Sequence, residues 1–198
     1  MIACKMHETT PPDVKDFCYI SASTYSKQQV IEMEYKISSL LAFNFHIITP
    51  HHFVNIFLRA HYVSGHGAGT KPACSLSYED NMKYLVDYLL EIASLTYSFV
   101  KEPPSKVAAA AIYLARATLG IRDASTLDAE EGAQEFFSRT LQYYSGYEES
   151  DLKPLVIKLR YAHKNSESAN LHSVYDKYSK KAFKMVAHLV PVSMEVLF

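Results

Sequence analysis

Two charges in this chain of 198 residues stand among apolar neighbours, and they are the residues whose chemistry calls for a partner. Lys5 is the one charge in the apolar run of residues 1–6. Glu34, projected at 100° per residue on a helix that begins after Ser26, falls in the sector of Val30, Ile37 and Leu41, while Glu32 and Ser39 point the other way. An ammonium or a carboxylate buried alone costs several kcal/mol, so each must be paired or stand at the rim of an apolar surface open to water. Two readings stay open on spacing alone. The charges pair with each other or with neighbours inside the fold, or both edge an exposed patch and hydrogen-bond to another protein.

Other reactive residue types lack the spacing that chemistry needs. Nine histidines, among them His46, His51, His52, His61 and His66, include no His-Glu-x-x-His arrangement, so no metal site is expected, and no cofactor either. There is no Gly-x-Ser-x-Gly elbow, and no cysteine has a context that favours a thiolate, so catalysis is unsupported. GHGAGTK, within residues 64–75, has neither the glycine spacing of a P-loop nor a strand before it, and reads as linker. Lys177, Lys180, Lys181 and Lys184 would form a basic stripe on a last helix, which reads as a solvated surface. Cys4, Cys18 and Cys74 are odd in number without Cys-x-x-Cys spacing, the pattern of reduced thiols in a cytosolic or nuclear protein. With 20 basic and 21 acidic residues the net charge is -1, which supplies no field for a phosphate backbone or an anionic bilayer. No apolar run approaches the roughly 20 residues that cross a membrane, so neither nucleic acid nor membrane is expected as a partner.

The elements that must position Lys5 and Glu34 are helical. Ser26 and Gln29 form a capping box, Tyr25 can staple onto Val30, and Val30, Met33, Ile37, Leu40 and Leu41 make one apolar stripe. A short helix over about residues 1–7 precedes it, and a third begins at Pro50 and carries Phe53, Ile56, Phe57 and Ala60 to about Tyr62. Ser77 with Asp80 predicts the start of another helix, running to about Tyr97. In PPSKVAAAAIYLARATLG the prolines predict a start, Gly120 a stop, and the uncharged stretch of residues 107–115 a helix surrounded by others. Around it the sequence predicts a helix holding Phe136, Phe137, Leu141 and Tyr144, another holding Leu152, Leu155, Val156 and Leu159, and a last one holding Leu171, Val174, Tyr178, Ala182, Met185 and Leu189. No period-2 strand is visible, so the class is all-α. The division predicted is residues 1–63, a glycine-bearing linker over 64–77, and a five-helix unit over 78–198 around the alanine-rich helix.

The stretch ACKMHETTPPDVKDFCYISASTYSKQQVIEMEYKISSLLAFNF, residues 3–45, resembles the second part of the cyclin box of mitotic, B-type (A/B-like) cyclins. The family form is A-S-K-(aromatic)-E-E-x-Y-P-P-E-V-x-D-F-V-Y-I, then T-Y-T-K-E-Q-(I/V)-x-x-M-E, then a helix ending in L-x-F-x-(F/L). The alanine-rich helix and ESDLKPLVIKL are similar to the second cyclin fold of the same family. The resemblance implies two cyclin-fold bundles, the first lacking helices 1 and 2 and the start of helix 3. It implies that Lys5 and Glu34 grip a cyclin-dependent kinase through backbone groups near the helix bearing its catalytic glutamate, with Met6, Ser38, Phe43 and Phe45 beside them. The chain would thus be no enzyme but the activating subunit of a Ser/Thr kinase in cell-cycle control, resident in nucleus and cytoplasm.

The family's Met-Arg-Ala-Ile-Leu segment, which docks substrates and inhibitors, would lie in a longer polypeptide, leaving Ile20 from that groove's wall. An apolar face of the first half would then stand uncovered. Met6 replaces the usual aromatic and His7 the first acidic residue, which bears on affinity and partner choice. The other readings are a cyclin-fold transcription factor, opposed by the near-neutral charge and the Lys5 and Glu34 pair, and an inactive or scaffolding fragment.

Overall fold

The computed structural model describes residues 1–64, 76–121 and 136–197, and these are helical with turns. They form two compact units, Met1–Ile47 and Ile48–Phe198.

The first unit holds α1 (Ile2–His7), α2 (Val14–Ile20) and α3 (Lys27–Leu40). At the start of α3 the Gln29 amide N–H donates to Ser26 Oγ at 3.3 Å, and the Ser26 N–H donates to Gln29 Oε1 at 2.9 Å, the reciprocal box read from the sequence. Sequence reasoning missed α2, whose signal was the pair Asp13 and Asp16: Asp16 Oδ2 accepts the Asp13 N–H at 2.8 Å. Helix α3 ends in a Schellman turn, with the Phe43 N–H on Ser38 O at 2.8 Å and the Ala42 N–H on Ser39 O at 3.0 Å. Glycine is the usual residue at this stop, but here Ala42 and Phe43 take φ of 48° and 55°. The left-handed conformation costs a residue with a Cβ about 1–2 kcal/mol. The Phe43 side chain at this turn is exposed.

The second unit is built on α6 (Pro104–Thr118). Every residue from Val107 to Ala117 on it is buried, the uncharged stretch 107–115 as an apolar helix requires. The Cβ-only side chains of Ala108 to Ala111 admit α4 (Pro50–Ser64), α5 (Leu76–Leu95) and α8 (Glu149–Asn165) against its sides, and α7 (Arg139–Ser145) packs on both α4 and α6. Among the described residues four helices thus pack around an alanine-rich fifth. Gly120, at φ 68°, closes α6 as expected, with the Ile121 N–H on Arg116 O at 2.9 Å. Arg116 itself is fully buried, its guanidinium 3.0 Å from His61 Nδ1.

Four features differ from the sequence reading. Helix α4 belongs to the second unit, because Val54, Phe57, Leu58 and Ala60 are buried with the core around α6. The division therefore lies at Ile47–Ile48, ahead of the segment 64–77, of which residues 65–75 lie outside the described residues. Helix α5 is already under way at Leu76, one position before the predicted cap at Ser77. Phe136 and Phe137 precede α7, whose cap is Ser138, and are buried edge-on against the Tyr113 ring at 6.4 and 5.9 Å. The last helix stops at Tyr178 as α9 (Ser173–Tyr178), where Lys180 turns to an extended ψ of 148°, and single 3-10 turns follow, with Lys184 and Met185 at left-handed φ of 56° and 55°. The basic stripe is dispersed in consequence: Lys177 pairs with Glu91 at 2.6 Å and Lys184 with Asp80 at 3.5 Å. A terminal turn, α10 (Met194–Leu197), buries Leu197, and the Tyr113 hydroxyl reaches Leu197 O at 3.4 Å.

Candidate partner-binding surface

Lys5 and Glu34 meet. The α1 ammonium donates to Glu34 Oε2 at 2.9 Å, with the lysine side chain 52% and the glutamate side chain 19% exposed. The first of the two readings is therefore realised, and the second is not removed, because the pair stands at an open surface. Beside it lies a groove of about 810 Å³, formed by Met1, Ile2 and Ala3, by Tyr25 ahead of α3, and along α3 by Val30, Met33 and Ile37 together with the polar Gln29, Glu32, Glu34 and Lys36. Met33 remains 54% exposed and Ile37 41%. An ion pair in water is worth little, which leaves its donors and acceptors ready to exchange for those of another polypeptide.

The remaining sequence-derived residues fall into two groups. Met6 and Phe43 are exposed, and Phe45 is partly buried with its ring edge-on to Phe43 at 6.3 Å. Ser38 is buried, and its hydroxyl donates to Glu34 O at 2.8 Å one turn away. That bond commits its one donor to the turn that carries Glu34. Ile20, at the end of α2, is exposed.

The histidines do structural work. His52 Nδ1 accepts the Thr49 N–H at 3.1 Å and so caps α4, an arrangement the sequence analysis did not foresee because histidine is a rare residue at that position. His51 lies 3.7 Å from Asp87, and His172 2.7 Å from Asp176. His163 is buried against the Tyr88 ring, and burial lowers its pKa from 6.5 to about 4, so it is neutral at pH 7. Burial likewise pushes the Tyr88 hydroxyl up to about 12. Among the described residues no three His, Cys, Asp or Glu side chains converge as metal ligands, Cys4 and Cys18 are free thiols, and no helix is long and apolar enough to cross a membrane. Cys74 and His66 lie outside the described residues.

Comparison with known proteins is consistent with this arrangement. Residues 1–46 match the family model for the cyclin N-terminal domain, and residues 48–192 that for the cyclin C-terminal domain. The two matches meet where the two units divide. Similar relatives include Cyclin-A2-1 of Oryza sativa subsp. japonica, 33% identical over 96% of this chain and 34% of the relative. Cyclin-A2-3 of Arabidopsis thaliana is 32% identical over 100% of this chain and 40% of the relative. Cyclin-A3-1 of Oryza sativa subsp. japonica is 34% identical over 96% and 46%. The chain thus spans about a third to a half of the length of these curated relatives, which are A-type members of the A/B-like group that the sequence resembles.

Proposed function

We propose, from the premise that this chain belongs to the cyclin family, that it is the regulatory part of a protein-kinase complex, with the α1 and α3 surface as the kinase contact. The observation that carries the reading is the Lys5–Glu34 pair, half-exposed at the lysine, beside an open groove that holds Met33 and Ile37. In the free chain the two charges satisfy one another. On binding, each exchanges its partner for backbone groups of the kinase, while Met6, Phe43 and Phe45 supply apolar contact area. Ser38 acts through Glu34.

The chain does no chemistry of its own in this account. Its effect is a difference in binding free energy between two kinase conformations. It favours the one in which the kinase's C-helix lies inward, its glutamate pairs with the ATP-positioning lysine, and the activation loop is open. Ile20 is assigned to the wall of a groove for substrates and inhibitors completed by other family segments, and the working compartments are nucleus and cytoplasm.

The test is to mix the purified chain with a cyclin-dependent kinase of the same organism and to follow both association and histone phosphorylation. Saturable association with a rise in phosphorylation is expected. Association without activation would assign a scaffolding role, and DNA binding with a steep salt dependence in place of kinase binding would support a cyclin-fold transcription factor.

A further inference from the structure

The second unit carries a groove that its own side chains leave open, and we propose that it binds an extended peptide segment bearing a bulky apolar side chain next to acidic residues. The groove has a volume of about 470 Å³ and lies among the end of α5, the 3-10 turn after it, the last turns of α8, and α9. This proposal concerns the other unit from the kinase contact, and its test contains no kinase.

The floor is apolar and fixed. Ile92 and Phe99 are each 6% exposed and belong to the core. The polar groups at the floor are already satisfied: Thr96 Oγ1 donates to Ile92 O at 3.2 Å, and Ser166 Oγ donates to His163 O at 2.6 Å while accepting the Tyr88 hydroxyl at 2.7 Å. Water there gains few hydrogen bonds, whereas an aliphatic or aromatic side chain gains contact with a preformed surface. Three large apolar residues that line the groove stand out in solvent, Leu95 at 46%, Tyr161 at 68% and Leu171 at 66%. Removing them from water is the driving force.

Two features of the lining choose a peptide over a plain hydrocarbon. The side-chain amides of Asn165 and Asn170 line the groove and make no hydrogen bond among the described residues. An amide offers one acceptor and two donors, the complement of the C=O and N–H of an extended backbone. Charge then sets the flanking residues. Lys158 lines the groove, half-exposed, and shares the single carboxylate of Glu102 with Lys106, at 3.6 and 3.9 Å, so this end carries two cations for one anion. Toward the other end Glu167 lies beside the Tyr175 hydroxyl. Lys158 and Asn165 are about 10 Å apart along α8 at 1.5 Å per residue, a span of about three extended residues. The acidic residues of the peptide therefore belong at the Lys158 end.

The experiment uses the whole chain and a fluorescein-labelled peptide of sequence DEELFS, whose acidic residues stand on one side of Leu-Phe, read by anisotropy. Control peptides replace Leu-Phe by Ala-Ala or every acidic residue by lysine. Saturable binding of DEELFS is expected, at least about 10-fold tighter than the Ala-Ala control, because loss of one buried leucine or phenylalanine alone corresponds to that ratio or more, and tighter than the lysine control, whose charges meet Lys158. Two surface variants, Lys158→Glu and Leu171→Asp, should each weaken binding by about 10-fold while leaving circular dichroism and the melting temperature unchanged, and added salt should weaken it further. Absence of saturation up to about 1 mM, or unaltered binding by both variants, would overturn the proposal. Displacement of the peptide by equimolar decanoate would reassign the groove to a lipid-like ligand, and so would overturn it as well.

Discussion

The two units are written in the same grammar of capped amphipathic helices and end in opposite states of burial. In the second, α6 is enclosed from Val107 to Ala117, and the side chains that enclose it are buried too. In the first, Ser38 is the one buried residue among residues 1–47, while Met33, Ile37, Leu41 and Phe43 meet water. A periodic apolar stripe states that a helix has a face to cover. It does not state that the same chain covers it. The second unit encloses most of its apolar surface around α6, and the first leaves its own, with a charge pair at the rim, open to water.

Substitutions should separate the units in order of effect. Phe137→Ala in the second unit empties a site that is fully buried against Tyr113, and should cost about 3–5 kcal/mol in urea unfolding, whereas Met33→Ala on the open face should change stability by about 0.5 kcal/mol or less. Comparable losses for both would erase the contrast.

Acid should weaken the second unit through His163. Its folded pKa is lowered from 6.5 to about 4 by burial, so the fold favours the neutral ring; the stabilisation is complete above the unfolded value and is lost as pH falls toward 4. Between pH 7 and pH 5 this amounts to about 2 kcal/mol. Asp87, whose pKa is raised chiefly by burial, acts in the opposite sense, favouring the fold as pH falls. The difference between the wild type and His163→Leu in urea titrations at the two pH values isolates the histidine. Equal pH dependence in both proteins would mean that His163 gains its proton within the fold.

At the open surface the effect should appear in binding and not in stability. Lys5→Ala and Glu34→Ala should each weaken kinase association by more than about 1 kcal/mol, since hydrogen bonds to charged groups contribute about 1.5–3 kcal/mol. The melting temperature should hardly move, because the pair is half-exposed and such pairs contribute about 0–1 kcal/mol. Smallest is Ala42→Gly, which relieves the left-handed turn after α3 and should raise the stability of the first unit by about 0.5 kcal/mol. A loss of stability there would show that the Ala42 methyl is held by favourable contacts.

Local signals were legible and partnerships were not. The Ser26 and Gln29 box and the proline start and glycine stop of α6 follow from spacing along one helix, whereas spacing marked Lys5 and Glu34 as charges needing partners without saying that they meet. The allegiance of α4 does not, because Val54, Phe57 and Leu58 define a face without naming the helix that meets it, and the glycine-bearing segment drew the boundary to the wrong side. Ser38 shows the same limit at the site: the resemblance put it beside Lys5 and Glu34, and only the hydroxyl's bond to Glu34 O reveals that it points inward. The break after Tyr178 depends on the extended backbone at Lys180, a residue type that gives no warning of it.

The direct test of the open surface is hydrogen–deuterium exchange of the chain alone and saturated with a cyclin-dependent kinase. Slower exchange is expected in residues 2–7 and 27–45, the segments carrying Lys5, Glu34 and the aromatic turn, with the amides of α6 unchanged because they are already enclosed. Protection confined to the second unit, with residues 2–7 and 27–45 exchanging as in the free chain, would contradict the account.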